Sequence, residues 1–131
     1  MLKPHRESIV SIVDDDPGIC MALKALMRSA GLAAEAFLSA EDFLDSGKLA
    51  QTACLVLDMH LPRMSGLELQ RHLAATGARV PIIFITAHDR EEARAAALES
   101  GAAAFLLKPL SRGVLLQRVL GTIDLSHLEG R

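Results

Sequence analysis

Five polar residues stand at the ends of short apolar runs, and their types together suit phosphoryl chemistry. They are Asp14, Asp15, Asp58, Thr86 and Lys108. Clustered carboxylates repel one another unless a cation or a proton neutralises them. Mg²⁺ is a hard cation that binds carboxylate oxygens while keeping several waters. A lysine and a hydroxyl beside such a cluster complete a site in which a carboxylate nucleophile could take a phosphoryl group.

Each of these residues also has an ordinary structural explanation. Asp14 or Asp15 could cap a helix, and Asp58 could accept hydrogen bonds from loop amides. Thr86 could be a plain β-branched strand residue, and Lys108 a solvated lysine before a turn. Because all of them occur together at successive strand ends, the chemical interpretation is favoured over the separate structural ones.

The elements that must position these residues alternate between strand and helix. Apolar runs predict strands at residues 9–13, 33–37, 53–57, 80–86 and 103–107. Helix-start signals follow at Asp16-Pro17, Ser39 with Asp42 (a helix over 40–46), Ser65 with Glu68 (to about residue 76), Asp89 with Glu92, and Ser111. Parallel strands need helical crossovers, so this alternation predicts an α/β fold with a doubly wound, five-stranded parallel sheet. In such sheets ligands bind outside the carboxyl ends of the strands, where the strand order reverses.

Length and composition predict a single globular domain. The chain has 131 residues, half of them hydrophobic, and a net charge of −2 without any run of lysines or arginines, so we expect no direct nucleic-acid binding. Its apolar stretches fall short of the roughly 20 residues that cross a bilayer. The polar N-terminus lacks a secretion signal. We therefore expect a cytoplasmic protein without membrane contact, with Cys20 and Cys54 as buried, reduced thiols.

Four segments carry a family resemblance. IVDDDPG, VLDMHLPRMSG, FITAHD and FLLKPL resemble, in order and spacing, the signature segments of response-regulator receiver domains. The resemblance covers residues 8–122, which leaves residues 123–131 as a C-terminal tail or the start of a linker. LPRMSG and SAEDFL resemble the nitrogen-fixation regulator subfamily, whose output is a helix-turn-helix domain. The family implies a flavodoxin-like (βα)5 fold with the strand order 2-1-3-4-5.

The resemblance implies a role for each residue of the acidic side of the site. Asp58 would be the phosphoacceptor. Asp15 and Asp58 would bind Mg²⁺ (or Mn²⁺) through their carboxylates, and His60 would do so through its backbone carbonyl. Asp14 would act through a metal-bound water.

Other residues are implied to bind the phosphoryl group or to respond to it. Thr86, Ala87 and Lys108 would contact the phosphoryl group, with the Lys108-Pro109 peptide in the cis form. Thr86 and the aromatic residue Phe105 would form the switch, Phe105 turning inward and changing the surface of the fourth helix, fifth strand and fifth helix. A further hypothesis from the residues themselves is that His60 and His88 flank the phosphoryl group and tune its hydrolysis.

The family also implies the partners. The phosphoryl donor would be a sensor histidine kinase, a phosphotransfer protein or a small molecule such as acetyl phosphate. The domain would be no turnover enzyme but would slowly dephosphorylate itself. The changed surface would dimerise or bind a partner, and would control transcription through an attached or partner helix-turn-helix domain.

Four alternatives stay open on the sequence alone. The chain could be a stand-alone receiver that acts as a phosphate shuttle or protein-binding switch, or a pseudo-receiver that takes no phosphate. A phosphatase of the haloacid dehalogenase type would need a second aspartate where His60 stands. A flavodoxin-like cofactor binder would need a phosphate loop in place of the three aspartates at 14–16.

Overall fold

The computed structural model describes the backbone of residues 8–129 and the side chains of residues 8–123. The N-terminal residues of the secretion-signal prediction and the last two residues of the predicted tail lie outside the described residues. Ten main elements alternate along the chain. They are β1 (Ile9–Val13), α1 (Pro17–Ser29), β2 (Ala33–Phe37), α2 (Ala40–Asp45), β3 (Thr52–Asp58), α3 (Gly66–Ala75), β4 (Ile82–Thr86), α4 (Glu91–Glu99), β5 (Ala104–Leu107) and α5 (Arg112–Glu129).

The sheet has the predicted topology. Its five strands are all parallel and follow the order β2-β1-β3-β4-β5. Val13 pairs with Leu57 across β1 and β3, so Asp14 and Asp58 emerge side by side from the carboxyl end of the sheet. β4 begins two residues later than predicted, because Pro81 has no N–H to donate to a strand ladder.

Each face of the sheet carries its own apolar cluster. One cluster joins α1 and α5 to the sheet through residues such as Met27 and Leu115. The other joins α2, α3 and α4 through Phe43, Leu69 and Ala97. Successive strand residues point to opposite faces, and the central strands are therefore apolar on both sides. Helices on both faces confirm the doubly wound fold class.

Four of the predicted helix starts are confirmed by hydrogen bonds, among them Ser111, whose Oγ accepts from the Val114 N–H at 3.3 Å in the first turn of α5. Asp16 caps α1 by accepting from the Gly18 N–H at 2.8 Å. Ser39 caps α2 through the Asp42 N–H. At α3 both bonds of a capping box are present, between Ser65 and Glu68.

The predicted start of the fourth helix is wrong. A cap at Asp89 would need α4 to begin at residue 90, but the backbone of residue 90 turns back to the His88 carbonyl at 3.1 Å. Arg90 therefore occupies the N-cap position, and it makes no capping bond through its side chain. The helix begins at Glu91, so Asp89 lies one residue before the N-cap position.

The last helix passes the predicted domain boundary. α5 continues without interruption from Arg112 through residue 122 to Glu129. The assignment of residues 123–131 to a tail or linker stays a prediction. Within the described part of the chain, no helix is long and apolar enough to cross a membrane.

Candidate functional site

Three carboxylates converge at the carboxyl end of β1 and β3. Asp14 is fully buried, Asp58 is 4% exposed, and Asp15 is exposed. Each offers one carboxylate oxygen, and these oxygens all lie within 4.8 Å of one another. The strand register explains the convergence, because neighbouring parallel strands end at the same edge of the sheet. The structure thus brings together the acidic residues predicted from the sequence.

Lys108 supplies the positive charge facing this cluster. Its Nζ lies 2.8 Å from Oδ2 of Asp14 and 3.4 Å from Oδ2 of Asp58. The Lys108 N–H donates to the Thr86 carbonyl at 2.7 Å, which ties the end of β5 to the end of β4. The Lys108-Pro109 peptide is cis, as the resemblance implied. The explanation of Lys108 as a freely solvated lysine is therefore wrong.

The electrostatics of the cluster are unbalanced toward the acids. Burial raises the pKa of Asp58; the Asp14 charge adds to the rise, while the His60 N–H and Lys108 oppose it. Burial acts to lower the pKa of Lys108, but its hydrogen bond to Asp14 and the Asp58 charge outweigh burial and raise that pKa. The lysine thus stays charged at neutral pH, whereas ionised Asp58 is left short of positive partners.

Backbone amides hold the two buried carboxylates in fixed orientations. The His60 N–H donates to Oδ1 of Asp58 at 3.0 Å, and the Asp16 N–H donates to Oδ1 of Asp14 at 2.9 Å. The second oxygen of each carboxylate faces Lys108. Because Asp16 itself caps α1, the proposed capping explanation for Asp14 and Asp15 is not needed.

The end of β4 forms the other wall of the site. Thr86 is fully buried, and its Oγ1 accepts from the His88 N–H at 3.1 Å. Ala87 is exposed. The exposed rings of His60 and His88 meet edge to face, with their centroids 4.6 Å apart. The two histidines therefore contact each other across the β3-α3 and β4-α4 loops.

Phe105 faces the interior in this structure. It is 8% exposed and packs in the apolar cluster beneath α3 and α4. The guanidinium carbon of Arg94 lies 6.0 Å from the centroid of its ring. The inward position that the resemblance associates with switching is thus the one observed, and the switch role of Phe105 stays a prediction.

Sequence reasoning missed Gly66 as a residue of the site. A Cβ at this position would stand 2.4 Å from the Asp58 carbonyl oxygen, so only glycine lets α3 begin this close to β3. Its N–H donates to the Met59 carbonyl at 3.1 Å. The available signal was a glycine at the first helical position directly after the Ser65 cap, where helix formation alone does not call for one.

The donor set fits a hard divalent cation. Asp14, Asp15 and Asp58 offer only oxygen ligands, which suit Mg²⁺ or Mn²⁺ rather than a metal that prefers sulfur or imidazole. Of the three residues, Asp15 is exposed to solvent, as befits an ion that keeps part of its water shell. The excess of carboxylates over cations gives such an ion a favourable electrostatic site.

Comparisons with known proteins agree with one another. A family model described as "Response regulator receiver domain" matches residues 10–120. "Response regulator protein TmoT" of Ectopseudomonas mendocina is 43% identical over 122 residues, which cover 92% of this chain and 55% of that protein. "Transcriptional regulatory protein FixJ" of Azorhizobium caulinodans is 36% identical over 122 residues, which cover 93% of this chain and 58% of that protein. The solved structure of response regulator StyR is 40% identical, with a TM-score of 0.87 over 95% of this chain and 63% of that chain.

These matches confirm the predicted subfamily resemblance, since a FixJ protein is among them. The chain spans about half the length of the curated relatives it matches. The similarity therefore concerns one part of those proteins.

Proposed function

This chain belongs to the response-regulator receiver domain family, and we propose that it accepts a phosphoryl group on Asp58. The observation that carries the proposal is the contact of one lysine with two buried carboxylates at the strand ends. Both buried carboxylates have Oδ1 held by a backbone N–H and Oδ2 directed toward Lys108; Asp58 is the acceptor in this proposal because its residue keeps 4% exposure. Asp14, by contrast, is fully buried.

The proposed reaction is in-line phosphoryl transfer from a phosphohistidine or from acetyl phosphate. A carboxylate oxygen of Asp58 forms the new P–O bond, and the bond from phosphorus to the donor's imidazole nitrogen or acetate oxygen breaks. Lys108 would stabilise the charge on the transferring group, and the Thr86 hydroxyl and the Ala87 N–H would donate to its oxygens. Positioning and charge neutralisation supply most of the rate in such transfers.

The acidic side would hold Mg²⁺ or Mn²⁺. Asp15 and Asp58 would bind the ion through carboxylate oxygens, His60 through its backbone carbonyl, and Asp14 through a bound water. When bound, the ion neutralises negative charge on the phosphoryl oxygens. Lys108 would then remain the protein's own cation in the site.

Two histidines and an aromatic residue complete the proposal. The paired rings of His60 and His88 would limit how water reaches the acyl phosphate, and so would set the rate of self-dephosphorylation.

Thr86 would move toward the phosphoryl group, and its shift would favour one packing of Phe105 and α4 over another. The receiver domain is a signalling module, and its own slow hydrolysis would only reset the signal.

The output of the switch is also a proposal. A sensor histidine kinase or phosphotransfer protein would be the donor, and the surface of α4, β5 and α5 would dimerise or bind a partner. The similarity to longer proteins named as transcriptional regulators supports control of transcription through an attached or partner helix-turn-helix domain. A stand-alone receiver that acts as a shuttle is the second candidate, because the family match at residues 10–120 is to a receiver domain and not to an output domain.

Chemical trapping tests the identity of the acceptor. After incubation with acetyl phosphate and Mg²⁺, borohydride reduces an aspartyl phosphate to homoserine, which peptide mass spectrometry can locate. We expect homoserine at position 58 alone, and at no position when EDTA replaces Mg²⁺. Homoserine at position 14 or 15 would contradict the assignment of Asp58.

A further inference from the structure

The loop between β3 and α3 contains the one strained backbone residue among the described non-glycine residues. Arg63 has φ of 63°, in the left-handed region that side chains other than glycine and asparagine rarely adopt. Such a conformation persists only when surrounding contacts enforce it. The loop also carries His60, whose carbonyl belongs to the proposed metal site, so its path matters for function.

A carboxylate from another element contacts this loop at the strained residue and at the residue that follows it. Glu41 lies in the first turn of α2, and its Oε2 accepts from the Met64 N–H at 3.0 Å. Its Oε1 lies 3.6 Å from Nη2 of Arg63. The bond to Met64 spans 23 residues of sequence, so it is a tertiary contact and not part of a local turn.

The backbone bond is the stronger of these two contacts. The Arg63 side chain is 69% exposed, and ion pairs of exposed side chains contribute little. Hydrogen bonds from its own backbone N–H and from Met64 lower the pKa of Glu41, so the carboxylate that accepts from Met64 is ionised at neutral pH. A charge-assisted hydrogen bond of this kind is stronger than a neutral one.

Hydrogen bonds hold the loop near its ends, and Leu61 in its middle is buried in the apolar cluster of α2, α3 and α4. The His60 N–H is held by Asp58, and the Gly66 N–H by the Met59 carbonyl. Between these bonds, Glu41 supplies the side-chain hydrogen bond to the middle of the loop. Without that contact, Arg63 would relax toward negative φ. The peptide planes between His60 and Arg63 would then rotate, which would move the His60 carbonyl.

We propose that Glu41 is a positioning residue for the metal side of the acceptor site, acting through the β3-α3 loop on the His60 carbonyl. The proposal rests on the proposed function, because it assumes that the ion binds where the three aspartates meet. Glu41 itself lies outside the site, on a helix that carries none of the three site aspartates.

The test compares Glu41→Ala with Asp42→Ala. Asp42 is an exposed acid in the same helical turn. Its replacement by alanine therefore removes the same charge from the first turn of α2 as Glu41→Ala does. The Mg²⁺ dissociation constant is measured for each by NMR titration of the unphosphorylated, full chain. We expect it to rise about tenfold in Glu41→Ala, the size typical of losing an outer-shell partner, and less than twofold in Asp42→Ala.

Two further variants separate positioning from general damage. Glu41→Gln keeps an oxygen that can accept from the Met64 N–H, and we expect its Mg²⁺ affinity to lie near that of the wild type. Adding Arg63→Gly to Glu41→Ala should recover most of the lost affinity, because glycine adopts positive φ without steric cost. No recovery in either variant would overturn the proposal.

A metal-free readout separates this proposal from the proposed function. Hydrogen exchange of the Met64 amide, measured in EDTA, should be about tenfold faster in Glu41→Ala than in Asp42→Ala. Unchanged exchange, or faster exchange with unchanged Mg²⁺ affinity, would overturn the positioning role. Equal losses of affinity in Glu41→Ala and Asp42→Ala would also overturn it. A wild-type chain that binds no Mg²⁺ would instead contradict the proposed function, while Met64 exchange would still decide whether Glu41 holds the loop.

Discussion

Asp58 is buried in surroundings that oppose its ionisation. Burial raises its pKa, and neighbouring Asp14 adds to the rise. A carboxylate nucleophile must be ionised to attack phosphorus, so Asp58 would act in the proposed transfer only when cations compensate its charge. Because ionised Asp58 is unfavourable without a compensating cation, its environment favours the binding of a divalent ion.

The raised pKa of Asp58 predicts that the difference in stability between Asp58→Asn and the wild type depends on pH. Because the folded-state pKa of Asp58 is raised, folded protein holds its proton more tightly than unfolded protein does. Stability is then unaffected below the ordinary carboxyl pKa of about 4 and falls as pH rises through the interval up to the folded value. In EDTA, Asp58→Asn should therefore resist urea better than wild type at pH 7, and this advantage should vanish at pH 3.

Exposed Asp15 provides the control, and Asp15→Asn should change the urea midpoint less than Asp58→Asn does. An Asp58→Asn variant that is less stable than wild type at pH 7, or equally favoured at both pH values, would contradict this account of the site.

Residue identities in the site were largely readable from the sequence, but their contacts were not. Asp58 and Lys108 were predicted because each follows an apolar strand, and strand ends share one edge of a parallel sheet. The contribution of Glu41 could not be predicted, because it depends on where α2 sits relative to a loop 23 residues away. The meeting of the His60 and His88 rings likewise depends on the path of two loops.

At the scale of elements, the approach of α3 to β3 decides the shape of the site. Gly66 opens α3 directly against the backbone of Asp58, and a side chain there would overlap the carbonyl oxygen. The helix must begin at this point to return the chain across the sheet. A glycine thus sets how closely the helix can pack beside Asp58.

Gly66→Ala should consequently be destabilising, by about 1–3 kcal/mol as for other overpacked sites. The control is Gly121→Ala in α5, where an added Cβ meets nothing within 4 Å. That change should stabilise the protein by about 0.5–1 kcal/mol, because alanine is the better helix former. Urea unfolding measures both, and a neutral Gly66→Ala would show that the close approach is not required.

Strand existence and order were predictable at this scale, whereas helix starts were less so. β3 and β4 read as apolar runs because both faces of the sheet are covered. The start of α4 was misplaced because the turn at residues 88–90 moves the first helical residue beyond Asp89. That turn leaves no signal in the composition of the segment.

At the scale of the whole molecule, apolar side chains remain exposed on the surface proposed for output. Leu98 on α4 and Val114 on α5 are each 43% exposed, and Leu107 on β5 is 40% exposed. Exposed apolar side chains are common singly, but these three lie on the elements that the switch would rearrange. They would therefore be contacts in the proposed phosphorylation-dependent dimer.

Sedimentation velocity tests this dimer. Acetyl phosphate with Mg²⁺ should shift the wild-type chain toward dimer, and the double change Leu98→Asp, Val114→Asp should abolish the shift without slowing phosphorylation. Met21→Asp on α1, where Met21 is 74% exposed, is the matched control and should dimerise as wild type does. Equal dimerisation of the double variant would place the contact elsewhere on the molecule.

The whole-molecule topology was predictable because it follows from the alternation of strands and helices and from the family resemblance. The residues exposed on the proposed output surface were not predictable from the sequence, because the exposure of Leu98 or Val114 depends on how each helix is rotated on the sheet. α4 in particular buries only Ala97, so its alanine-rich sequence contains little information about which face lies inward.

Intact mass after incubation with acetyl phosphate tests the central claim most directly. Wild type and Asp58→Asn are each incubated with the donor in Mg²⁺ and in EDTA. We predict that wild type gains one phosphoryl group in Mg²⁺ only, that the adduct survives acid and is lost in base, and that Asp58→Asn gains none. An equal gain in Asp58→Asn, or a gain by wild type that is independent of Mg²⁺, would contradict phosphorylation of Asp58 in a metal-dependent receiver site.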